Sequence, residues 1–164
     1  MRIISGKLKG KKINFVKNLQ TRPLKDIVRE NIFNILKHSN SLNIKIENSN
    51  ILDLYSGIGS FGIECISRGA QKVTFVEKSK NSSNILKENL IRLSIQDRAV
   101  VISDHIENFL KKELKKKEKF DLFFLDPPFS ESNFLKILDT VKKRKAFKTN
   151  HLIILHRERK IRCW

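Results

Sequence analysis

Three closely spaced glycines follow a short apolar segment, and this pattern suits a loop that holds a nucleotide-like ligand. Residues 51–55 have the character of a buried strand that carries one acid, Asp53. After them, Gly57, Gly59 and Gly62 let the backbone turn tightly and bring its amide groups close to a ligand. The spacing also satisfies the dinucleotide pattern G-x-G-x-x-G, but Asp53, which could orient the loop or a cationic ligand, favours nucleoside binding. A strand-to-helix turn without a ligand is the alternative.

A second pattern, Asp126-Pro127-Pro128-Phe129, directly follows residues 120–125, the most hydrophobic predicted strand. Two prolines hold the backbone extended and remove two amide donors, so the loop presents acceptors: the Asp126 carboxylate and nearby carbonyls. These acceptors suit the hydrogens of an exocyclic amino group whose lone pair turns toward an electrophile. Phe129 offers a ring on which a base can stack. A Pro-Pro loop without a substrate is the alternative, and the glycine loop predicted at the same sheet edge weighs against it.

Two further acids follow predicted strands. Glu77 closes the strand predicted over residues 72–76 and could accept hydrogen bonds from both hydroxyls of a ribose. Asp104 follows the strand predicted over residues 99–102 and could accept from an adenine amino group. Helix-opening and helix-capping roles are the alternatives. Both acids would join Asp53 at the carboxyl edge of one sheet.

The N-terminal residues 1–16 alternate loosely between apolar and basic positions, with Gly6 and Gly10 as turn residues, which predicts a basic β-hairpin. Its cations are Arg2, Lys7, Lys9, Lys11 and Lys12. We expect this hairpin to be an arm that grips phosphates, in preference to an edge hairpin that lysines protect from strand pairing.

The remaining pattern predicts helices that flank these strands. Residues 20–36 predict an amphipathic helix with Val28, Ile32, Ile35 and Leu36 on its apolar stripe, whereas Arg22 and Arg29 face elsewhere. Further segments with helical character are residues 79–93, 106–117 and 134–141, and residues 152–155 predict a fifth strand.

The composition indicates one domain that meets a polyanion. A chain of 164 residues with 40% hydrophobic content can bury a core but leaves little room for a second domain. Its 34 Lys and Arg outnumber its 17 Asp and Glu, which gives a net charge of +17. So large a charge opposes compaction unless a polyanion offsets it, which favours nucleic acid over an anionic membrane as the partner.

The spacing of the cysteines and histidines indicates no metal site, and the cysteine pattern suits a reducing cytosol. Cys65 and Cys163 are far apart and fit no ligand spacing, and the four histidines form no H-x-x-x-H pair. No apolar run approaches the roughly 20 residues of a membrane span, and no signal-peptide core is present. We therefore expect a soluble, cytoplasmic protein.

These motifs together resemble those of the S-adenosylmethionine-dependent class I methyltransferases that modify planar amino groups. More specifically, the chain resembles the bacterial 16S ribosomal RNA guanine-N2 methyltransferase family, often called the RsmD type. The segments that carry the resemblance span most of the chain: residues 2–6, 21–23, 28–30, 33–34, 52–64 and 126–129. The resemblance implies methylation of the exocyclic N2 amino group of a guanine in 16S ribosomal RNA of the small subunit or its assembly intermediate.

The implied fold is α/β, a doubly wound, mostly parallel, Rossmann-like sheet. We expect one methyltransferase domain over residues 1–164, with a basic hairpin arm over residues 1–20 and a cofactor-binding core over residues 50–156. Members of this fold usually finish with two antiparallel strands, which the residues after His156 are too few to supply. We therefore expect a shortened C-terminal end: either a truncated, marginally stable sheet, to which residues 157–164 add at most one short strand or an apolar plug, or a dimer in which a second copy of the chain pairs with this edge.

The implied cofactor is S-adenosylmethionine, with its methionine end in the loop after the first strand. The candidate contacts in and before this loop are Asp53, Tyr55, Ser56, Gly57, Gly59 and Gly62. The resemblance assigns the ribose to Glu77 and the adenine to Asp104.

The implied substrate site is the loop after the fourth strand. Asp126, Pro127 and Phe129 would hold the target guanine, and the hairpin with Arg22 and Arg29 would engage RNA. Two other functions stay open: an RNA-binding or ribosome-assembly protein that has lost turnover, and a nicotinamide-dependent oxidoreductase, which leaves Asp-Pro-Pro-Phe unexplained.

Overall fold

A parallel sheet forms the centre of the structure. The structure is a computed structural model, and it describes residues 1–15, 24–39, 42, 44–114, 118–128 and 133–157. Its strands are β1 (Asn50–Leu54), β2 (Lys72–Val76), β3 (Ala99–Ile102), β4 (Phe120–Leu125) and β5 (Phe147–Leu155). All four strand pairings are parallel, and the strand order is β3-β2-β1-β4-β5. The order reverses direction beside β1, so the prediction of a doubly wound sheet is confirmed.

Helices connect the strands as the hydrophobic pattern predicts, with one exception. They are α1 (Asp26–His38), α2 (Ser60–Ser67), α3 (Lys80–Arg92), α4 (Ile106–Asn108) and α5 (Phe134–Lys143). α4 is shorter than the predicted helix over residues 106–117, because it widens into a π-helical turn, Phe109–Glu113. In this turn the Leu114 amide donates to the Phe109 carbonyl at 2.9 Å, and both side chains are buried.

Alternate strand residues pack into two cores, one on each face of the sheet. Ile51 belongs to the core under α2 and α3, whereas Leu52 and Leu54 belong to the core under α4 and α5. β4 repeats the pattern with Phe124 on the first face and Phe123 on the second. Because both faces are covered, the strands are nearly continuous apolar runs, and a carboxylate such as Asp53 is conspicuous among them.

The buried face of α1 differs from the predicted apolar stripe. Ile35 is 60% exposed, whereas Arg29, Phe33 and Leu36 are buried. The ring of Phe33 stacks on Phe61 of α2 with centroids 5.1 Å apart, and this contact sets the rotation of α1 about its axis. The prediction was wrong for Ile35 alone: Leu36 is buried, and Val28 and Ile32 are partly buried against the same core, as predicted.

The N-terminal hairpin is present as a compact antiparallel turn with a single bridge, between Arg2 and Lys12. The Ile3 amide donates to the Lys11 carbonyl, and the Ile13 amide donates to the Met1 carbonyl, both at 3.0 Å. Ile3 and Ile13 are 1% and 2% exposed, because they pack into the core under α2 and α3. The hairpin is therefore docked on the domain rather than projecting from it.

β5 lies at one edge of the sheet and is longer than the predicted strand over residues 152–155. Residues 158–164, which were expected to help cover this edge, lie outside the described residues. In the part of the chain that the structure describes, no helix has the length and apolar character to span a membrane.

Candidate active site

The carboxyl ends of the central strands open into a cavity of about 700 Å³. Predicted site residues meet there: Asp53, Tyr55, Ser56, Gly57, Glu77, Asp104, Asp126 and Pro127 all line it. β1, β2, β3 and β4 each contribute residues from just beyond their ends or, for β1, from the strand itself, as expected where a doubly wound sheet changes direction. Phe129 and Arg22 lie outside the described residues.

The loop after β1 has a left-handed backbone at three positions, of which only Tyr55 is not a glycine. Tyr55, Gly57 and Gly59 have φ values of +61°, +55° and +81°, the left-handed region that glycine adopts without steric cost. Ser56 lies inside this loop with its Oγ buried and without a hydrogen-bond partner in the described structure. Because Ser56 lines the cavity, its unpaired buried hydroxyl fits a ligand with a polar group nearby.

Gly59 and Gly62 have a packing role in this structure and do not line the cavity. A Cβ on Gly59 would lie 2.3 Å from Leu86 Cδ1, and a Cβ on Gly62 would lie 2.2 Å from Phe75 Cε1. Both glycines therefore let the loop and the start of α2 approach β2 and α3 closely. Gly57 has open space around its Cβ position and lines the cavity, so it is the glycine placed to approach a ligand.

Asp53 is 1% exposed on β1 and accepts a hydrogen bond from the Gly62 amide at 3.1 Å. Burial raises the pKa of this carboxyl well above its ordinary value; the Gly62 hydrogen bond opposes the rise, and the negative charges of Asp126 and Glu77 add to it. Three of the acids that line the cavity, Asp53, Glu77 and Asp126, thus repel one another, and a bound cation would offset this repulsion. S-adenosylmethionine carries positive charge on its sulfonium and amino groups and fits this arrangement.

Glu77 ties the end of β2 to two neighbouring segments. Its Oε2 accepts from the Gly57 amide and its Oε1 accepts from the Ser79 amide, both at 2.8 Å. Ser79 in turn caps α3 by accepting from the Ser82 amide at 3.3 Å. A carboxylate has about four acceptor positions, so Glu77 retains capacity for the hydroxyls of a ribose while it holds the glycine loop.

Asp104 stabilises the first turn of α4 and also lines the cavity. Its Oδ1 accepts from the His105 amide at 2.6 Å and from Asn108 Nδ2 at 3.0 Å. These bonds, the Asn108 bond above all, lower the pKa of Asp104. The N-cap of α4 is His105, without a side-chain capping bond, so the capping alternative for Asp104 is not borne out, and the adenine contact stays a prediction.

Asp126 is the first residue after β4, and its carboxylate is partly buried where it lines the cavity. Burial raises its pKa, and a hydrogen bond and charge from His156 oppose that rise. His156 Nδ1 lies 2.7 Å from Asp126 Oδ1. Beside it, Pro127 is buried and Pro128 is exposed, and both line the cavity; that this loop presents acceptors to a substrate stays a prediction.

His156 is a cavity residue that the sequence interpretation missed. The H-x-x-x-H spacing of metal ligands does not single out His156, because no second histidine lies at that spacing from it. The available signal was its position: His156 is the first residue after β5, as Asp126 is the first after β4. In a parallel sheet, residues that follow neighbouring strands lie side by side.

The basic residues predicted to meet RNA divide into two groups. Arg2, Lys7, Lys9, Lys11 and Lys12 are exposed on the docked hairpin. Arg29, by contrast, is 0% exposed, and its Nη2 donates to Asp26 at 3.0 Å and to the Arg2 carbonyl. Burial lowers the pKa of its guanidinium. The prediction that Arg29 engages RNA is therefore corrected: Arg29 links α1 to the hairpin, and the sequence could not reveal that its helix face is buried.

Several known proteins similar to this chain are named methyltransferases. The family model described as Conserved hypothetical protein 95 matches residues 1–163. Ribosomal RNA small subunit methyltransferase D of Buchnera aphidicola is 36% identical over 96% of this chain and 76% of its own length, and that of Haemophilus influenzae is 36% identical over 97% and 79%.

The solved structure of yhhF from Escherichia coli has a TM-score of 0.79 and 27% identity over 94% of this chain and 78% of its own. The resemblance inferred from the sequence motifs and the cofactor that it implied are confirmed. The chain belongs to the Conserved hypothetical protein 95 family of S-adenosylmethionine-dependent methyltransferases.

Proposed function

We propose that this protein methylates the exocyclic N2 amino group of a guanine in 16S ribosomal RNA. The observation that carries the proposal is the acceptor loop Asp126-Pro127-Pro128, which borders the same cavity as Asp53, Glu77 and the glycine loop. Relatives with 36% identity are named ribosomal RNA small subunit methyltransferase D, which supports the RNA class of substrate. An oxidoreductase has no use for an acceptor-only loop at this position.

S-adenosylmethionine, when bound, supplies an electrophilic methyl group on a sulfonium. The protein's task is then placement, because the amino nitrogen of guanine must align with the methyl carbon and sulfur. Ser56 and Gly57 would hold the methionine end, Glu77 the ribose and Asp104 the adenine.

The amine lone pair of guanine is delocalised into the ring and is a weak nucleophile. Acceptance of the amino hydrogens by Asp126 and by a carbonyl of the Pro127 region favours the pyramidal form, in which the lone pair points at the methyl group. Asp126 must be ionised to accept without donating. The target base must be unpaired or flipped out of a helix to enter the cavity.

The RNA partner also accounts for the charge of the whole chain. A net charge of +17 and an exposed basic hairpin suit a phosphate backbone, and a ribosomal substrate agrees with the expected cytoplasmic location. On this proposal residues 1–164 act as one methyltransferase domain, in which residues 1–20 contact RNA and residues 50–156 hold the cofactor.

The test is transfer of tritium from methyl-labelled S-adenosylmethionine to 16S ribosomal RNA, both naked and in small-subunit particles, followed by identification of the labelled nucleoside. We expect N2-methylguanosine. Label on another nucleoside would contradict the guanine-N2 assignment while leaving an RNA methyltransferase. Cofactor binding without transfer to either substrate would instead favour the RNA-binding alternative that has lost turnover.

A further inference from the structure

The residue that follows β5 contacts the residue that follows β4. Leu125 and Leu155 are register partners in the parallel pairing of β4 with β5. The His156 amide continues this ladder by donating to the Leu125 carbonyl at 2.9 Å. The backbone of His156 is thereby fixed beside Asp126, and its Nδ1 reaches Asp126 Oδ1 at 2.7 Å.

We propose that His156 is a positioning residue for methyl transfer: its Nδ1–H holds one carboxylate oxygen of Asp126 so that the other oxygen faces the guanine amino group. The inference rests on the proposed function, because it needs Asp126 as the acceptor of that group. An ionised carboxylate only accepts hydrogen bonds, so the contact requires the proton on Nδ1. The imidazole is then held in one tautomer, with Nε2 left as the acceptor when the ring is neutral.

The neighbouring residue supports the loop from its other end. Arg157 Nη1 donates to the Pro128 carbonyl at 3.4 Å, and the Arg157 guanidinium lies 4.7 Å from the centroid of Phe134 on α5. The two residues after β5 therefore contact both ends of the Asp126–Pro128 segment. A carboxylate on a loop without such contacts would sample many orientations, and transfer requires only a narrow range of them.

The pairing also affects the pH range over which Asp126 is ionised. Burial raises the pKa of Asp126, and His156 counters this by its hydrogen bond and its charge. Removal of His156 should therefore raise that pKa further and move the acid limb of the rate profile to higher pH. The other titratable or charged groups that line the cavity in the described structure are Lys25, Asp53, Tyr55, Glu77, Lys78, Asp104, His105 and Glu107.

Three substitutions at position 156 separate positioning from packing. His156→Ala and His156→Gln remove the donor from the place of Nδ1, whereas His156→Asn places an amide nitrogen there, because both side chains branch at Cγ. We expect kcat to fall about 10- to 100-fold in the first two, the scale of one lost hydrogen bond to a charged group, with KM for the cofactor unchanged within about two-fold. His156→Asn should recover most of kcat.

The control variant is chosen on the same strand but away from the cavity. His151→Asn removes another histidine of β5, one whose Nδ1 lies 2.9 Å from the Lys148 carbonyl, and should leave the pH profile unchanged. Cofactor titration by calorimetry verifies that each variant is folded. The proposal is overturned if all three variants keep the wild-type pH profile and kcat, or if His156→Asn loses as much kcat as His156→Gln.

A readout without turnover tests the pairing itself. Nitrogen-15 NMR of histidine-labelled protein at neutral pH should show the His156 proton on Nδ1, and this preference should be lost in Asp126→Ala. A proton on Nε2 with a bare Nδ1 would overturn the inference. Because this result does not need RNA, an absence of methyl transfer in the wild type would contradict the proposed function and would not be confused with a failure of the pairing.

Discussion

Asp126 combines partial burial with a position at the cavity, and both properties bear on catalysis. Its carboxylate keeps a raised pKa through burial and still accepts from His156. In a partly desolvated site an accepted hydrogen bond is worth more than in water, so the side chain can stabilise charge that develops on an amino group. Such a group lowers the free energy of the transition state and does not strengthen cofactor binding.

Asp126→Ala should therefore reduce methyl transfer at least about 100-fold while S-adenosylmethionine affinity changes little. Single-turnover transfer and calorimetric titration measure the two quantities separately. Asp139→Ala, at an exposed position of α5, serves as the control and should transfer at the wild-type rate. Wild-type turnover in Asp126→Ala would remove this residue from the proposed mechanism.

Asp53 presents the opposite case, because its ionised form destabilises the fold. The pKa of Asp53 is higher in the folded state than in the unfolded state, so the folded state holds this proton more tightly. The protein therefore loses stability as the pH rises from the unfolded-state pKa through the folded-state pKa. Asp53→Asn retains an oxygen for the Gly62 amide and removes the charge.

We expect Asp53→Asn to raise the melting temperature at about pH 7 by about 2 °C or more, the shift that about 1 kcal/mol gives in a domain of this size. The gain should shrink as the pH falls to about 4, because Asp53 is then protonated in the native state anyway. Differential scanning calorimetry across this range checks it, with the exposed Asp97→Asn as control. A variant less stable than the wild type at neutral pH would contradict the assigned cost of the ionised Asp53.

Cofactor affinity should fall in the same variant, since one of the three acids is neutralised.

At the scale of elements, α2 holds the N-terminal hairpin through one buried carboxylate. Glu64 is 0% exposed; its Oε2 accepts from the Ile4 amide at 2.8 Å, and its Oε1 accepts from the Ser5 amide at 2.9 Å. Arg68 Nε donates to the same Oε1 at 2.8 Å. The Glu64 carboxylate thus accepts hydrogen bonds from two backbone amides and from Arg68. If the carboxylate is removed, these donors lose their acceptor.

Glu64→Ala should lower the free energy of unfolding by about 3 kcal/mol, because it leaves buried donors without an acceptor. Urea unfolding measures this loss, and limited proteolysis should show faster cleavage within residues 1–15. Glu88→Ala on the exposed side of α3 is the matched control. Equal stability of the Glu64 and Glu88 variants would mean that the hairpin does not depend on this carboxylate.

The strands were the most predictable elements, and the helix faces the least. β2, β3 and β4 have the bounds that their apolar runs predict. For β2 and β4, most residues are buried, and such a strand is an almost continuous apolar run that needs no information about its neighbours. The burial of Arg29 and the exposure of Ile35 depend instead on a ring of α2 that packs under α1. The helical period of apolar residues determines the width of the apolar stripe. It does not determine which neighbouring element packs against that stripe.

The same distinction applies to the site. Asp53, Glu77, Asp104 and Asp126 were predictable because each stands at the end of a strand, and parallel topology brings such positions together. The packing role of Gly59 and Gly62 was not, because it depends on the distance to Phe75 and Leu86. Only tertiary structure shows which glycines face a ligand and which face a neighbouring side chain.

At the scale of the whole molecule, the excess of positive charge has a location that can be tested. The four hairpin lysines, Lys7, Lys9, Lys11 and Lys12, are exposed on the sheet face that carries α2 and α3. A second set of four exposed lysines, Lys111, Lys112, Lys142 and Lys143, belongs to the π-helical turn and α5, which pack on the other face. Replacement of either set by glutamine lowers the net charge equally, 17 − 4 = +13.

If the hairpin contacts RNA, the glutamine variant of the hairpin set should reduce the slope of log affinity against log salt by up to about three, since single-stranded RNA releases roughly 0.7 counterion per neutralised phosphate. The variant of the second set should change it by less than about one. Fluorescence titrations of an RNA oligonucleotide at several salt concentrations give both slopes. Equal slopes in the two variants would show that net charge, rather than the hairpin, determines binding.

The docking of the hairpin also bears on the order in which the protein can form during translation. Its partners in α2 and α3 include Glu64, Ser67 and Asn89, which lie 59 to 75 positions further along the chain than the hairpin residues they bind. A ribosome therefore exposes this basic segment well before α2 and α3 have emerged to bind it. During that interval the lysines are next to ribosomal RNA without a folded domain behind them, so the nascent chain should be retained at the surface of the ribosome that made it until Asn89 is available.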